Sequence, residues 1–419
     1  MIARMVVRWI LALFLFVIIS YPGSPFFYQF LMSAPTYAYL ALLFLFLIFS
    51  ISLKNNAIYI SGKVRINTFS TLQALVFVSL ITTLITTQNP TAVRDLLTYA
   101  VVLILLLLIR DGDFIKVLTT KYLLASILVA VSIVAYTLLF FFPEIRFDWL
   151  VPKLSIYEGN PIVTRHGYGD FEYSMLFYYS TVLFDTSTET YLLGSIFAEP
   201  THVFAFLLGP LFFCLRVDRF KGRQFVILTL IFYMMYTLSL YPAIVLLLGS
   251  TLAILLLSLK PSNYTFNFFL ISIPIVIWFA GSSLLFEFLK LIPEAKVSQM
   301  DYYFGPENLL ALTSGSSIFG LSEVPEGPSW GSAILIFRYG YFGFFVWASL
   351  VVFYLVEACK FLFHRELSKT RRFFSFMALF SATLMSLKVP NMLLITSLLI
   401  YVALGYLNKL KGSSGKLSI

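Results

Sequence analysis

Residues 224–259 read QFVILTLIFYMMYTLSLYPAIVLLLGSTLAILLLSL. These 36 residues would make a helix of about 54 Å at a rise of 1.5 Å per residue. A bilayer core is only about 30 Å thick and needs about 20 apolar residues to cross it. One span cannot use the whole stretch. Tyr241-Pro242 interrupts it, and proline removes a backbone donor and clashes with the preceding turn. The stretch is therefore expected to be a helical hairpin of two spans.

The rest of the chain reads the same way. Sixty percent of the residues are hydrophobic and 12% are charged, with a mean hydropathy of +0.91. A water-soluble chain of this composition would expose large apolar patches, so the expected solvent is lipid. The fold class expected is an all-α polytopic integral membrane protein, a single transmembrane domain over residues 1–419. Spans are placed near 7–20, 35–53, 68–87, 95–109, 117–142, 191–215, 224–240, 242–259, 268–289, 331–358, 373–387 and 391–407, about twelve in all. The first follows Arg4 and Arg8 as a signal peptide would, but residues 21–30 offer no small-residue cleavage site, so it is read as a retained span.

Charge sets the orientation. With both termini cytoplasmic, 21 of the 29 basic residues fall on the inner side, from Arg4 and Arg8 to Lys409, Lys411 and Lys416. Eight remain outside: Arg94, Arg146, Lys153, Arg165, Lys290, Lys296, Arg338 and Lys388. This is the asymmetry of the positive-inside rule. Reading 224–259 as one span would move the basic block from Lys360 to Arg372 outside. The net charge of +9 thus reflects orientation, since no basic face is interleaved with base-stacking aromatics, and no nucleic-acid partner is expected. Cys214 and Cys359 are read as packing residues, and three histidines provide no metal-ligand spacing.

Two outer loops are long, residues 143–190 (48 residues) and 291–330 (40 residues). Loops of that length are usually functional or disordered. Aromatics such as Trp149, Tyr168, Tyr173, Tyr303 and Trp330 argue for order. At a membrane interface they serve either as headgroup anchors or as platforms for sugar rings. Tyr168, Tyr173, Tyr303 and Trp330 are the candidate glycan contacts.

Ionisable residues near the spans narrow the chemistry. Glu199 lies eight or nine residues into the span expected from 191, where a carboxylate costs about 2.5–3.5 kcal/mol unless it faces a partner or a cavity. It is either a paired structural acid or a carboxylate facing a lumen. His202, three residues on, shares its helix face. Arg94, Arg165, Arg338 and Lys388 defy the positive-inside rule, either snorkelling to headgroups or forming a cationic funnel for an anionic lipid-linked group. The planar fork of arginine suits phosphate oxygens. Arg338 lies beside Tyr339-Gly340 and Gly343, where close helix packing would press it inward.

These residues carry a resemblance. The segment GSIFAEPTH at 194–202 resembles the G-x-F-x-E-P stretch of Wzy-type O-antigen polymerases. SSIFG at 316–320 and the FRYGYFG core at 337–343 resemble the second loop and following span of the wider polymerase and ligase superfamily. The layout of two large outer loops flanking a tight hairpin is similar over the whole chain. Members often carry an arginine before the first motif, where this chain has Tyr191, and a basic pair in the hairpin, where it has Ser239-Leu240-Tyr241-Pro242. The ligase branch has a His-Asn pair where this chain reads Pro328-Ser329-Trp330, which favours polymerase over ligase.

The resemblance implies a GT-C-like membrane glycosyltransferase of the bacterial inner membrane, needing neither a metal nor another cofactor. It would join undecaprenyl-pyrophosphate-linked oligosaccharides, one chain as donor and one as acceptor, alongside a flippase and a chain-length regulator. Glu199 and His202 are then the candidate general bases, and Arg338, Arg165, Arg94 and Lys388 the candidate pyrophosphate contacts. A flippase or polysaccharide transporter is the competing class, although the halves show no self-similarity of the kind such folds usually have. A membrane O-acyltransferase would need a catalytic histidine, which His202 alone could supply.

Overall fold

The computed structural model describes residues 2–20, 68–88, 90–108, 111–141, 172–173, 178–185, 188–195, 200–217, 222–237, 240–258, 318–320, 333–364, 366–388 and 394–412. Ten helices occur among them. They are α1 (Ile2–Ser20), α2 (Thr68–Thr87), α3 (Pro90–Leu108) and α4 (Asp111–Phe141); α5 (Pro200–Arg216), α6 (Arg223–Thr237) and α7 (Leu240–Ser258); and α8 (Ala333–Phe363), α9 (Lys369–Lys388) and α10 (Ile395–Gly412).

Three helices contain segments long and apolar enough to cross a membrane: Thr68–Thr87, Gly112–Val134 and Leu335–Phe363. The apolar parts of five others are shorter, including Val6–Val17 and Pro242–Leu257. The spans expected at 35–53 and 268–289 lie outside the described residues.

The decisive stretch does divide into two helices, α6 and α7. The first ends at Thr237 and the second starts at Leu240, so Tyr241-Pro242 lies inside α7. Pro242 sits in the first turn of α7, where its missing N–H would have no intrahelical acceptor anyway. The two helices also take different neighbours: α6 packs on α4 and α5, and α7 chiefly on α9.

One expectation is corrected outright. Residues 191–195 are not helix; they belong to a three-stranded antiparallel sheet of β1 (Glu172–Tyr173), β2 (Tyr178–Asp185) and β3 (Thr188–Ser195), in the order β1-β2-β3. The sequence YYSTVLFD followed by TETYLLGS is rich in β-branched and aromatic residues, which suit a pleated surface. Thr181 pairs with Tyr191 and Val182 with Thr190. The C-terminal end of the first long loop is therefore a hairpin, and α5 starts only at Pro200.

In lipid, helices gain nothing hydrophobic by leaving one apolar surface for another, so association depends on close packing. The pair α5–α9 shows how. A Cβ at Gly209 would lie 2.6 Å from Ala382 Cβ and 2.7 Å from the Ala378 carbonyl oxygen, so the missing side chain lets two backbones meet. Several threonine hydroxyls within the apolar helices are satisfied by their own helix. Thr87 donates to the Thr83 carbonyl at 2.7 Å, Thr119 to Ile115 at 2.9 Å and Thr383 to Leu379 at 2.7 Å. Large apolar side chains such as Ile85, Leu247 and Phe345 point outward, a surface suited to hydrocarbon.

Contacts give the helices relative directions. Phe353 of α8 meets Phe69 at the start of α2, whereas Tyr339 of α8 reaches Asp95 near the start of α3. So α2 and α8 run antiparallel, and the end of α2 and the starts of α3 and α8 gather at one end of the bundle. At the other end, Arg216 closes α5 beside Ser375 of α9 and Asn408 of α10. Lys121 is buried within α4, its ammonium 5.0 Å from the centre of the Tyr122 ring.

Candidate functional site

The end of the bundle where α2, α3 and α8 meet holds the most unusual backbone. Helix α8 is broken at Gly340, whose φ is 70° and ψ −175°. The short segment Ile318-Phe319-Gly320 lies against the break. A Cβ at Gly340 would fall 2.3 Å from the Ile318 carbonyl oxygen and 2.4 Å from the Gly320 nitrogen. One at Gly320, where φ is 108°, would fall 2.4 Å from the Arg338 carbonyl oxygen. Both positions need glycine twice over, for left-handed backbone and for space. The sequence had suggested that glycines near Arg338 serve helix packing; at Gly340 they serve this backbone clasp instead. Thr83 Oγ1 on α2 donates to the Phe319 carbonyl at 3.1 Å, and the Phe319 ring packs edge-on to Phe342 at 6.1 Å, fixing the segment from both sides.

Around the break lies a cluster of charge. Tyr339 is buried and its hydroxyl donates a short hydrogen bond to Asp95 Oδ2. The other oxygen, Asp95 Oδ1, accepts from Arg94 Nε at 3.0 Å and also pairs with Arg94 Nη2 at 3.0 Å. Arg94 and Asp95 are both largely withdrawn from solvent, their side chains 15% and 10% exposed. The charges of Asp95, Arg338 and Arg94 all act on the Tyr339 hydroxyl, so the four groups form one neighbourhood. Arg338 differs from the others: its Nε is buried and has no hydrogen-bond partner.

That orphan is chemically informative. Buried guanidinium donors in native proteins are nearly always satisfied, because desolvating an unpaired one is costly. Among the described residues, two arginines against one carboxylate leave one formal positive charge beside an unused N–H, a combination that accepts an anionic oxygen. Below the charges a neutral hydrogen-bond chain continues between α3, α2 and α8. Tyr99 Oη donates to Gln73 Oε1 at 2.6 Å, and Gln73 Nε2 donates to Tyr354 Oη at 3.5 Å.

The structure brings together two of the candidate residues, Arg94 and Arg338, through the Asp95–Tyr339 contact. Lys388 is the last residue of α9 and Tyr173 lies in β1 opposite Tyr178, with the side-chain surroundings of both outside the described residues. His202 falls in the first turn of α5, its side chain likewise outside. Glu199, Arg165, Tyr168, Tyr303 and Trp330 lie outside the described residues altogether. The helix expected from 191 is not there to carry Glu199, since 191–195 is strand and α5 starts at Pro200. Sequence reading passed over Asp95 and Tyr339. The signal was there for Asp95, an acid at the head of an otherwise apolar run beside an arginine, AVRDLLTYAVVLILLLL.

No protein-family model matches the chain, and neither a curated protein nor a solved structure matches it.

Proposed function

We propose that this chain is a GT-C-type glycan polymerase that joins undecaprenyl-pyrophosphate-linked repeat units into O-antigen or capsular polysaccharide at the periplasmic face of the bacterial inner membrane. The observation that carries the reading is Arg338, an arginine with a free buried donor at a broken membrane-length helix, next in sequence to the Tyr339 that Asp95 links to Arg94. In this reading about twelve spans cross the membrane, both termini are cytoplasmic, and the α2–α3–α8 end faces the periplasm.

Pyrophosphate leaves readily once its charge is met. The enzyme's task is then to hold two lipid-linked chains in line and to stabilise the negative charge that develops on the leaving oxygen. Arg338 and Arg94 meet that charge, joined by Arg165 and Lys388 from the same side. The acceptor hydroxyl attacks the donor's anomeric carbon and passes its proton to Glu199, or to His202 three residues on. Tyr168, Tyr173, Tyr303 and Trp330 provide sugar platforms from the two loops. A flippase supplies the lipid-linked units, and a chain-length regulator acts on the product. Every step uses side chains of this protein and needs no metal.

Deleting the gene is expected to leave surface glycan carrying a single repeat unit and no ladder. A second reading, a lipid-linked-glycan transporter, is favoured by the broken helix itself, because transporters build midplane sites from discontinuous helices. Loss of the single-repeat species together with the ladder would support that reading, or a ligase, and overturn polymerisation.

A further inference from the structure

Asp95 bonds both to Arg94 and to Tyr339, the residue that follows Arg338, and so touches both sides of the junction at once. Its Oδ2 takes the hydroxyl of Tyr339 on α8, and its Oδ1 takes the guanidinium of Arg94 on its own helix. We infer that Asp95 and Tyr339 are positioning residues that aim Arg338 and Arg94 at one phosphate-bearing ligand, the arginines forming its two-sided clamp. This deepens the proposed function and rests on it.

The argument starts from helix geometry. Successive residues on an α-helix are rotated by about 100°, so fixing the direction of Tyr339 fixes that of Arg338. Just after Tyr339 the helix is broken at Gly340, and a broken helix loses the hydrogen-bond ladder that would otherwise set the rotation of its first turns. Two contacts replace it: the backbone clasp with Ile318-Phe319-Gly320 on one side and the Tyr339–Asp95 hydrogen bond on the other. The clasp sets where the chain lies. The hydrogen bond sets which way the segment faces and ties it to α3, where Arg94 is already held by the same carboxylate.

Charge supports the same division of labour. Asp95 neutralises one guanidinium equivalent, so it holds the two arginines close without quenching both. Both oxygens of Asp95 already bond protein groups, which gives it a different part from Glu199 and His202. The ligand class is a phosphate or pyrophosphate group, because a planar fork with a spare Nε–H matches phosphate oxygens.

The test uses the full-length protein in detergent, titrated with inorganic pyrophosphate by calorimetry, with thermal unfolding recorded for each variant. Tyr339→Phe keeps the buried ring and deletes only the hydroxyl, so the fold is expected to survive. Its pyrophosphate affinity is expected to fall about tenfold. Asp95→Asn keeps an acceptor for Tyr339 and removes the charge that holds Arg94, and should lose a similar factor. The diagnostic readout is a double-mutant cycle. If Tyr339 acts through Arg338, then Tyr339→Phe makes no further difference to binding in an Arg338→Ala background. Additive losses, or wild-type affinity in both Tyr339→Phe and Asp95→Asn while Arg338→Ala binds weakly, would overturn the positioning role and leave the arginine site standing. Unchanged affinity in Arg338→Ala itself would instead remove the pyrophosphate site and the reading on which this inference rests.

Discussion

Arg216 and Arg338, two of the arginines in the described helices, are held differently. Arg216 is fully buried at one end of the bundle, where its Nε donates to Ser375 Oγ at 3.1 Å and an Nη to Asn408 Oδ1 at 3.2 Å. Arg338, at the opposite end, keeps a buried Nε with no acceptor and sits beside a helix break. The first arginine is finished by the fold: it ties the end of α5 to α9 and α10. The second is left incomplete by the fold, at a place where backbone irregularity is concentrated. An arginine's burial therefore says little about its role; whether its donors are used up says more. Backbone conformation points the same way, since Gly320 and Gly340 both carry positive φ near Arg338 whereas Arg216 closes a helix.

The comparison breaks most easily at its backbone. Gly340→Ala combines left-handed strain with a Cβ placed against two backbone atoms, so it is expected to cost about 3 kcal/mol or more. Thermal unfolding in detergent should show a large fall in stability, and a wild-type transition would mean that the clasp between 318–320 and 338–340 does not form. Next in size is Arg216→Met, which leaves the Ser375 and Asn408 oxygens without their donor and is expected to lose about 1–3 kcal/mol. Activity per folded molecule should be unchanged. A loss of activity without a loss of stability would erase the distinction drawn between the two arginines.

Smaller effects sharpen it. Tyr99→Phe removes the hydroxyl that donates to Gln73 and should cost about 1 kcal/mol, measured by the same unfolding assay. Arg338→Met is expected to change stability by no more than about 0.5 kcal/mol, or to raise it, because a site built for a ligand is seldom optimal for the empty fold. A destabilisation as large as that of Arg216→Met would make Arg338 a structural residue too.

Much of this architecture could be read from residue type and order. The apolar run at 68–87 coincides with α2, and the excess length of 224–259 correctly called for two helices, because the rise of a helix and the thickness of lipid leave little choice. Where reading failed, two structures competed for one composition. Residues 191–195 are apolar enough to pass for the start of a span, yet they end a strand rich in β-branched and aromatic residues, and pairing with 178–185 decides the matter. The site was half legible. Arg94 and Arg338 stand out by breaking a charge rule, but Asp95 and Tyr339 are 244 positions apart, and only the folded chain joins them.

The central claim is that Arg338 meets the charge of a lipid-linked pyrophosphate during glycan polymerisation. Arg338→Lys tests it most directly, since the charge stays while the planar fork is lost. Purified wild-type and variant protein would be given undecaprenyl-pyrophosphate-linked repeat units and the product ladder measured, with unfolding curves confirming that both are folded. Losing a charge-assisted contact in a water-poor site is expected to slow polymerisation by about thirty- to a thousandfold, or roughly 2–4 kcal/mol. A ladder from Arg338→Lys that matches the wild type in rate and length would contradict the account.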